Sequence, residues 1–429
     1  MLVRRSLRMT IDSGWVKILK TSVPDAFTHT LPRPASTVFI DGQIKLMKAD
    51  YIRTWQQFFE NQFVYTVEKA FESGASVVVM GFDDYTYVPV CKNMTQTKRN
   101  KSVPNMDFNE HDDLPSTIPE NWSGAIRNRT FKIKVIGFVI RNLKMRYKHE
   151  TRRSVVVDFA GTPEVICGSF VLPALFSVEG TPLRRGECDI KGPVWLDNRG
   201  PLLLESTDGD FLPIAMIQLE SYMALHNSTA HIFVHRMATR TSTVVKRVSS
   251  GNAKRVYEYV DICKLLAFIK TQFPDSASPA RAFASLVAVT GCDFCLNLPA
   301  MGPTKLWNSR HLFDKSDIAE PMGLMAVLLH AYNTLFHKNI RTLTAEIREV
   351  PDMGAACKLY DRLSTSVRHS LTVAQRTRNS VWETRRAVAH ICNAVWTVQY
   401  WTLLHMYPDP LSGNFGFVLK KNKCVFDGV

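Results

Sequence analysis

Seven acidic residues in five short clusters are the part of this chain best suited to chemistry. They are Asp41 in Val-Phe-Ile-Asp-Gly, Asp83 in Val-Met-Gly-Phe-Asp-Asp, Glu187 and Asp189 in Gly-Glu-Cys-Asp-Ile, Asp208 and Asp210 in Thr-Asp-Gly-Asp-Phe, and Asp293 in Gly-Cys-Asp-Phe. Three clusters follow apolar runs, Thr37 to Ile40, Val77 to Met80 and Leu202 to Leu204, the pattern of buried parallel strands that each end in a carboxylate. Ligands bind outside the carboxyl ends of strands in an open α/β sheet, so these acids are aimed at one crevice. Two unit charges about 4 Å apart repel by roughly 4 kcal/mol at an effective dielectric near 20, so a gathering of carboxylates calls for cations. Oxygen donors suit hard ions, and Mg2+, with Mn2+ as a substitute, fits this inventory better than zinc. Two such ions roughly 4 Å apart lower the pKa of an attacking water and stabilise charge on a phosphoryl group, which makes phosphodiester hydrolysis the expected reaction.

The elements that must carry these acids follow from the pattern between them. Thr37 to Ile40 reads as a strand, the amphipathic stretch through Trp55, Phe58, Phe59, Phe63 and Val67 as a helix that Gly74 stops, and Val77 to Phe82 as the next strand. That β-α-β order predicts a mostly parallel sheet flanked by helices. Asp208 and Asp210 stand two apart, so on a strand end both would project to one side; Glu187 and Asp189 repeat the spacing where a loop passes into a helix. His231-Ile-Phe-Val-His predicts a hairpin strand near the sheet edge, and helical periodicity runs through Tyr259 to Ile269 and Ala280 to Val289. Between Asp83 and Glu187 lies a long interval, basic at Lys92, Lys98, Arg99 and Lys101, polar around 105–120 and basic again from Arg127 to Arg153. It reads either as an inserted substrate-binding element or as a solvated loop. The chain thus divides into an N-terminal region (1–90), a basic insertion (91–155), an internal region (156–310) and a mainly helical remainder (311–429).

A formal charge of +14 combined with a local concentration of acid describes an acidic pocket on a basic body, which suits a polyanionic substrate. Asp12 and Lys17 interrupt any apolar run after Arg4, Arg5 and Arg8, so a signal peptide is not expected and the chain should act inside the cell. Nine cysteines without regular spacing read as reduced thiols, Cys292 and Cys295 included, and the four Asn-x-Ser/Thr sequons read as chance matches. The apolar segment Ala387 to Tyr407 carries His390, Asn393, Gln399 and His405 and reads as a buried helix, not a membrane span.

In this order, the five clusters resemble the flap endonuclease and XPG group of structure-specific 5′ nucleases, with all seven acidic positions occupied. The resemblance implies a PIN-like 5′ nuclease fold with a helical arch, a helix-turn-helix element and two Mg2+ or Mn2+ ions held by the seven acids. Met9-Thr-Ile-Asp-Ser-Gly-Trp is similar to a degraded form of the family's opening, which makes Met9 an alternative start. Lys92 and Arg99, two helical turns apart, match the arch residues that contact the scissile phosphate, with Lys98 beside them on the nucleic acid. Leu298-Pro-Ala-Met-Gly-Pro-Thr-Lys is similar to the turn that grips duplex, which assigns Gly302, Pro303 and Lys305 to backbone contacts. Ala300 replaces the first hairpin glycine, Met47 stands near the place of a stacking tyrosine, and Thr10 follows Met9 where the family has glycine. The implied substrate is branched or 5′-flapped DNA handled by a monomer in replication, recombination or repair, in the host nucleus or a cytoplasmic replication compartment. The compact, divergent form looks like the versions carried by large DNA viruses, and no sliding-clamp motif stands out. RNA is the alternative substrate, since the same metal core occurs in messenger-RNA nucleases and 5′ to 3′ exoribonucleases. A catalytically silent nucleic-acid-binding replication protein is the alternative from outside enzymology.

Overall fold

Runs of Val, Leu, Ile and Phe without a polar member bury both faces of a strand, and such runs make the centre of this sheet. The computed structural model describes residues 14–47, 49, 52–83, 107–160, 163–172, 186–197, 199–206, 209–226, 229–237, 257–292, 295, 302–314, 318, 320–336, 352–370, 384–402, 417–420 and 423–426. Its strands are β1 Phe27–Thr28, β2 Thr37–Asp41, β3 Val77–Gly81, β4 Ser154–Asp158, β5 Glu164–Cys167, β6 Leu202–Glu205, β7 Ile232–Met237 and β8 Tyr257–Asp261. They form one sheet in the order β1-β8-β7-β6-β2-β3-β4-β5. Strands β7, β6, β2, β3 and β4 are mutually parallel, while β8 and β5 add antiparallel neighbours on either side. A separate hairpin joins β9 Phe417–Lys420 to β10 Lys423–Phe426.

Alternate residues of the central strands enter two different cores. Phe39, Val77, Val79, Leu202 and Leu204 face the layer that holds α1 (Gly14–Ser22) and the later helices, and Val38, Ile40, Val78, Met80 and Leu203 face the other layer. That second layer begins after the short helix α2 (Gly42–Leu46). It contains α3 (Trp55–Phe59), a π-helical turn at Glu60–Val64 and α4 (Tyr65–Glu72). Gly74, with φ at +101°, turns the chain back toward β3 as its sequence suggested.

Only the later part of the basic interval falls within the described residues. Residues 84–106, with Lys92, Lys98 and Arg99, lie outside the described residues. After α5 (Trp122–Ala125), the stretch expected to close the insertion forms α6 (Arg129–Tyr147), and Phe131, Val135, Ile136, Val139, Leu143 and Tyr147 bury its inner face in the core beneath β3 and β4. Helix α6 is therefore a crossover between parallel strands, with Arg129, Arg141, Lys144 and Arg146 exposed on its outer side and Lys144 paired with Glu164. Strand β7 differs from its expectation: it does pair antiparallel with β8, but it sits inside the sheet between β6 and β8.

The short α7 (Cys188–Lys191), then α8 (Phe211–His226), α9 (Ile262–Gln272) and α10 (Pro279–Thr290), cover the first face, followed by α11 (Pro303–Asn308) and α12 (His311–Asp314). Beyond them, α13 (Pro321–Phe336), α14 (Met353–Ser370) and α15 (Thr384–Thr402) contribute Leu324, Leu363, Trp396 and Trp401 to the same core. The segment from Ala387 is thus a buried helix, and among the described residues no helix is long and apolar enough to cross a membrane.

Two expected results arise from this packing. A Cβ on Gly81 would lie 2.1 Å from the ring of Phe39, so Gly81→Ala must displace a core aromatic; it should cost about 1–3 kcal/mol in guanidinium unfolding. His390 is buried in α15 with Nε2 3.2 Å from the Val289 carbonyl, and burial lowers its pKa from 6.5 to about 4. The unfolded chain takes up that proton below 6.5 while the folded chain refuses it. Stability should therefore fall by about 1.4 kcal/mol per pH unit as pH drops from 6.5 toward 4, and His390→Gln should flatten that limb of the unfolding midpoint.

Candidate metal centre

Parallel pairing brings the strand-terminal acids to one edge of the sheet. Asp41 of β2 lies beside Gly81 of β3, and Gly81 lies beside Asp158 of β4, while Ile40 is beside Glu205 of β6 on the other side. Asp83 follows β3 by two residues. The strand order reverses at β2, with β3 and β4 to one side and β6 and β7 to the other, and that switch point is where a doubly wound sheet opens a crevice.

Glycines allow the surrounding elements to close on this edge. A Cβ on Gly42 would stand 2.5 Å from the Phe82 ring and 2.6 Å from the Gly81 carbonyl, and one on Gly192 would stand 3.0 Å from Phe39. Helix α2 therefore starts directly at Asp41, whose Oδ1 accepts from the Gln43 N–H at 2.9 Å as its N-cap. Helix α7 lies over the ends of β2 and β3. Glu187 is its N-cap residue, Asp189 is within it, and its Cys188 N–H donates to Asp83 Oδ1 at 3.0 Å. Asp41 is 6% exposed, Glu187 3% and Asp189 6%.

Cys188 reports the field these acids create. Burial first, and then the carboxylates of Asp41, Asp83 and Asp189, push its thiol well above the ordinary value, with Lys191 opposing. Residues from three separate chain segments thus act on one sulfur. Burial and the same field favour the neutral Cys188 thiol over a thiolate. The acids gathered here, Asp41, Asp83, Glu187 and Asp189, offer carboxylate oxygens, a donor type that suits a hard divalent ion such as Mg2+ or Mn2+.

The remaining expected ligands are placed unevenly. Asp210 is not on a strand: β6 ends at Glu205, and Asp210 stands in the turn that opens α8, its carbonyl accepting from Ile214 N–H at 3.3 Å. Asp208 and Asp293 lie outside the described residues, as do residues 296–301 of the expected duplex-gripping turn. Gly302 caps α11, Lys305 is exposed on its first turn, and Pro303 packs so near Gly14 of α1 that a Cβ there would lie 2.9 Å from the proline ring.

Three residues at this edge were missed by sequence reasoning. Asp158 ends Val155-Val-Val-Asp, the same apolar run into a carboxylate that marked Asp41. Lys191, only 2% exposed, ion-pairs with Asp158 at 3.3 Å, and Trp195 Nε1 donates to the other Asp158 oxygen at 3.1 Å. Glu205 pairs with Lys45 at 3.4 Å and His235 at 3.7 Å; burial would raise its pKa, but the His235 hydrogen bond and the Lys45 charge bring it below the ordinary carboxylate value.

A different group gathers on the opposite edge of the sheet. Among the described residues, His231, Asp261 and Cys263 form the group of three potential metal ligands whose donor atoms all lie within 4.8 Å of one another. Its geometry is that of a helix cap: Asp261 Oδ1 accepts from the Lys264 N–H at 3.2 Å and meets His231 Nε2 at 3.0 Å. The Cys263 thiol donates to the Ala230 carbonyl at 3.5 Å and is pushed up to about 11 by burial, so it is held in its neutral form. The crevice acids are spaced more widely than this triad. Neither a family model nor a curated protein matches the chain, so what the crevice does rests on its own residues.

Proposed function

We propose that this chain is a divalent-metal-dependent nuclease of the flap endonuclease and XPG type, hydrolysing phosphodiester bonds in branched or 5′-flapped DNA. The observation that carries the reading is the convergence of Asp41, Asp83, Glu187 and Asp189 from three chain segments on the switch point of a mostly parallel sheet. Mg2+ bound there supplies charge stabilisation at the phosphoryl group and a water of lowered pKa. The chain's part is preorganisation: the Gln43 and Cys188 amides fix the Asp41 and Asp83 carboxylates before substrate arrives. A net charge of +14 draws the polyanion toward that acidic crevice, with Lys92, Lys98 and Arg99 as the proposed phosphate contacts.

A second reading, RNA as substrate, rests on departures from the duplex-DNA grip that the resemblance implies. Met47, 38% exposed at the end of α2, stands near the place of a stacking tyrosine and offers no ring to a base. Ala300 likewise replaces the hairpin glycine of the duplex grip. Competition between a 5′-flap DNA, a nicked duplex, single-stranded DNA and single-stranded RNA in Mg2+ separates the readings. Preferential flap cleavage is expected, with log affinity for duplex falling by about 0.9 per phosphate contact against log salt. Preferential RNA cleavage would move the assignment to a ribonuclease of the same kind, and binding without cleavage of any substrate would make the chain a silent nucleic-acid binder.

A further inference from the structure

Resting on the nuclease reading, we propose that Lys191 is a positioning residue of the metal centre. Its ammonium clamps the helix that carries Glu187 and Asp189 onto the peptide leading into Asp83, and so sets the spacing of the carboxylates before any ion binds. Helix α7 has four residues, far too few to hold its own geometry in water. Something outside the helix must therefore hold it. Lys191 Nζ donates to the Phe82 carbonyl at 2.7 Å and to the Phe159 carbonyl, and lies 3.4 Å from the Asp158 carbonyl and 3.3 Å from Asp158 Oδ1.

The Phe82 carbonyl belongs to the same peptide group as the Asp83 nitrogen. At the other end of α7, the Cys188 N–H holds Asp83 Oδ1 at 3.0 Å. One short helix thus grips Asp83 by both its peptide and its carboxylate while presenting two further acids. Trp195, in the 3-10 turn Gly192–Trp195 that continues α7, fixes the far oxygen of Asp158 and completes the clamp. Because Asp158 neutralises Lys191, the pair adds no net charge to the crevice and does not compete with an incoming cation. Buried ion pairs contribute little net stability compared with apolar replacements, so a gain in stability is a weak reason for one in this place. Geometry beside a ligand set is a better one, because residues that orient ligands typically change metal affinity 10- to 100-fold when removed.

The test is a Mn2+ titration of the full chain by calorimetry, run beside cleavage assays. Lys191→Met alone leaves Asp158 buried without its cation, so the decisive variant is Lys191→Met with Asp158→Asn, which removes both charges together. That double variant should keep its thermal midpoint within a few degrees and its nucleic-acid affinity. Its Mn2+ midpoint should rise about 10- to 100-fold, with much of the cleavage rate returning at saturating Mn2+. An unchanged Mn2+ midpoint would overturn the positioning role and leave the pair purely structural. A wild-type chain that binds no Mn2+, or binds it equally well as Asp41→Asn, would instead remove the nuclease reading and this inference with it.

Discussion

Asp41→Asn is expected to reduce metal-dependent cleavage by about a thousandfold or more, roughly 4 kcal/mol of transition-state stabilisation at about 1.36 kcal/mol per decade, while the fold stays intact. The choice of asparagine matters because Asp41 has two tasks. Its Oδ1 caps α2 through the Gln43 N–H, and an asparagine oxygen caps a helix as well as an aspartate oxygen does. Asp41→Ala would lose the cap too, at a cost of about 1 kcal/mol, and would confound the two effects. Asparagine also removes a negative charge from a crevice where Asp83 and Asp189 already act on the same Cys188 sulfur, so the metal-free protein should be no less stable than wild type. Nucleic-acid affinity should hold or improve, since a carboxylate adds no attraction for phosphate. Full cleavage by Asp41→Asn would remove Asp41 from the metal set.

Asp158→Ala is expected to be the most destabilising change at this edge, by about 3–5 kcal/mol, because it leaves the Lys191 ammonium buried with carbonyl oxygens but no counter-charge. Guanidinium unfolding of Asp158→Ala and of Lys191→Met with Asp158→Asn distinguishes a lost charge partner from a lost contact. The first should unfold far earlier than wild type, and the second should recover most of the difference. An equal loss in both would mean that the pair's hydrogen bonds, not its charge balance, hold the ends of β3 and β4. The exposed Lys69–Glu72 pair is the control: both side chains are more than half exposed, and Glu72→Ala should leave the midpoint where it is.

How far this site could be read in the sequence depended on whether a residue's role is local. Strands β2, β3 and β6 were legible because each is an unbroken apolar run, and the acids at Asp41 and Asp83 because such runs end in them. Asp158 followed the same rule at Val155-Val-Val-Asp, just beyond the basic stretch that ends at Arg153. The apolar spacing of α6 at 131, 135, 139, 143 and 147 was equally visible, a helix stripe beneath a solvated basic face. Lys191 was not legible at all. In Glu-Cys-Asp-Ile-Lys a lysine reads as solvated, and only the parallel pairing of β3 with β4 brings the Phe82 and Phe159 carbonyls together to receive it.

The register of Asp210 illustrates the same limit. Two acids at i and i+2 after Leu202 to Leu204 read as a strand end, yet β6 stops at Glu205, which Lys45 and His235 hold, and Asp210 opens α8. The Ser206 N–H still bonds to the His235 carbonyl at 3.2 Å, so the ladder runs slightly past the strand before the chain turns away. Which acid terminates a strand was decided by its neighbours on β7 and α2, and those are distant in sequence.

The most direct test of the central claim is cleavage of a 5′-flap DNA and a single-stranded RNA by the purified chain, with Mg2+, with Mn2+ and after chelation. Cleavage of at least one substrate that disappears on chelation, returns with either ion and is absent in Asp41→Asn is the result expected of these acids. Cleavage that persists undiminished in chelator, or that Asp41→Asn performs as well as wild type, would contradict it.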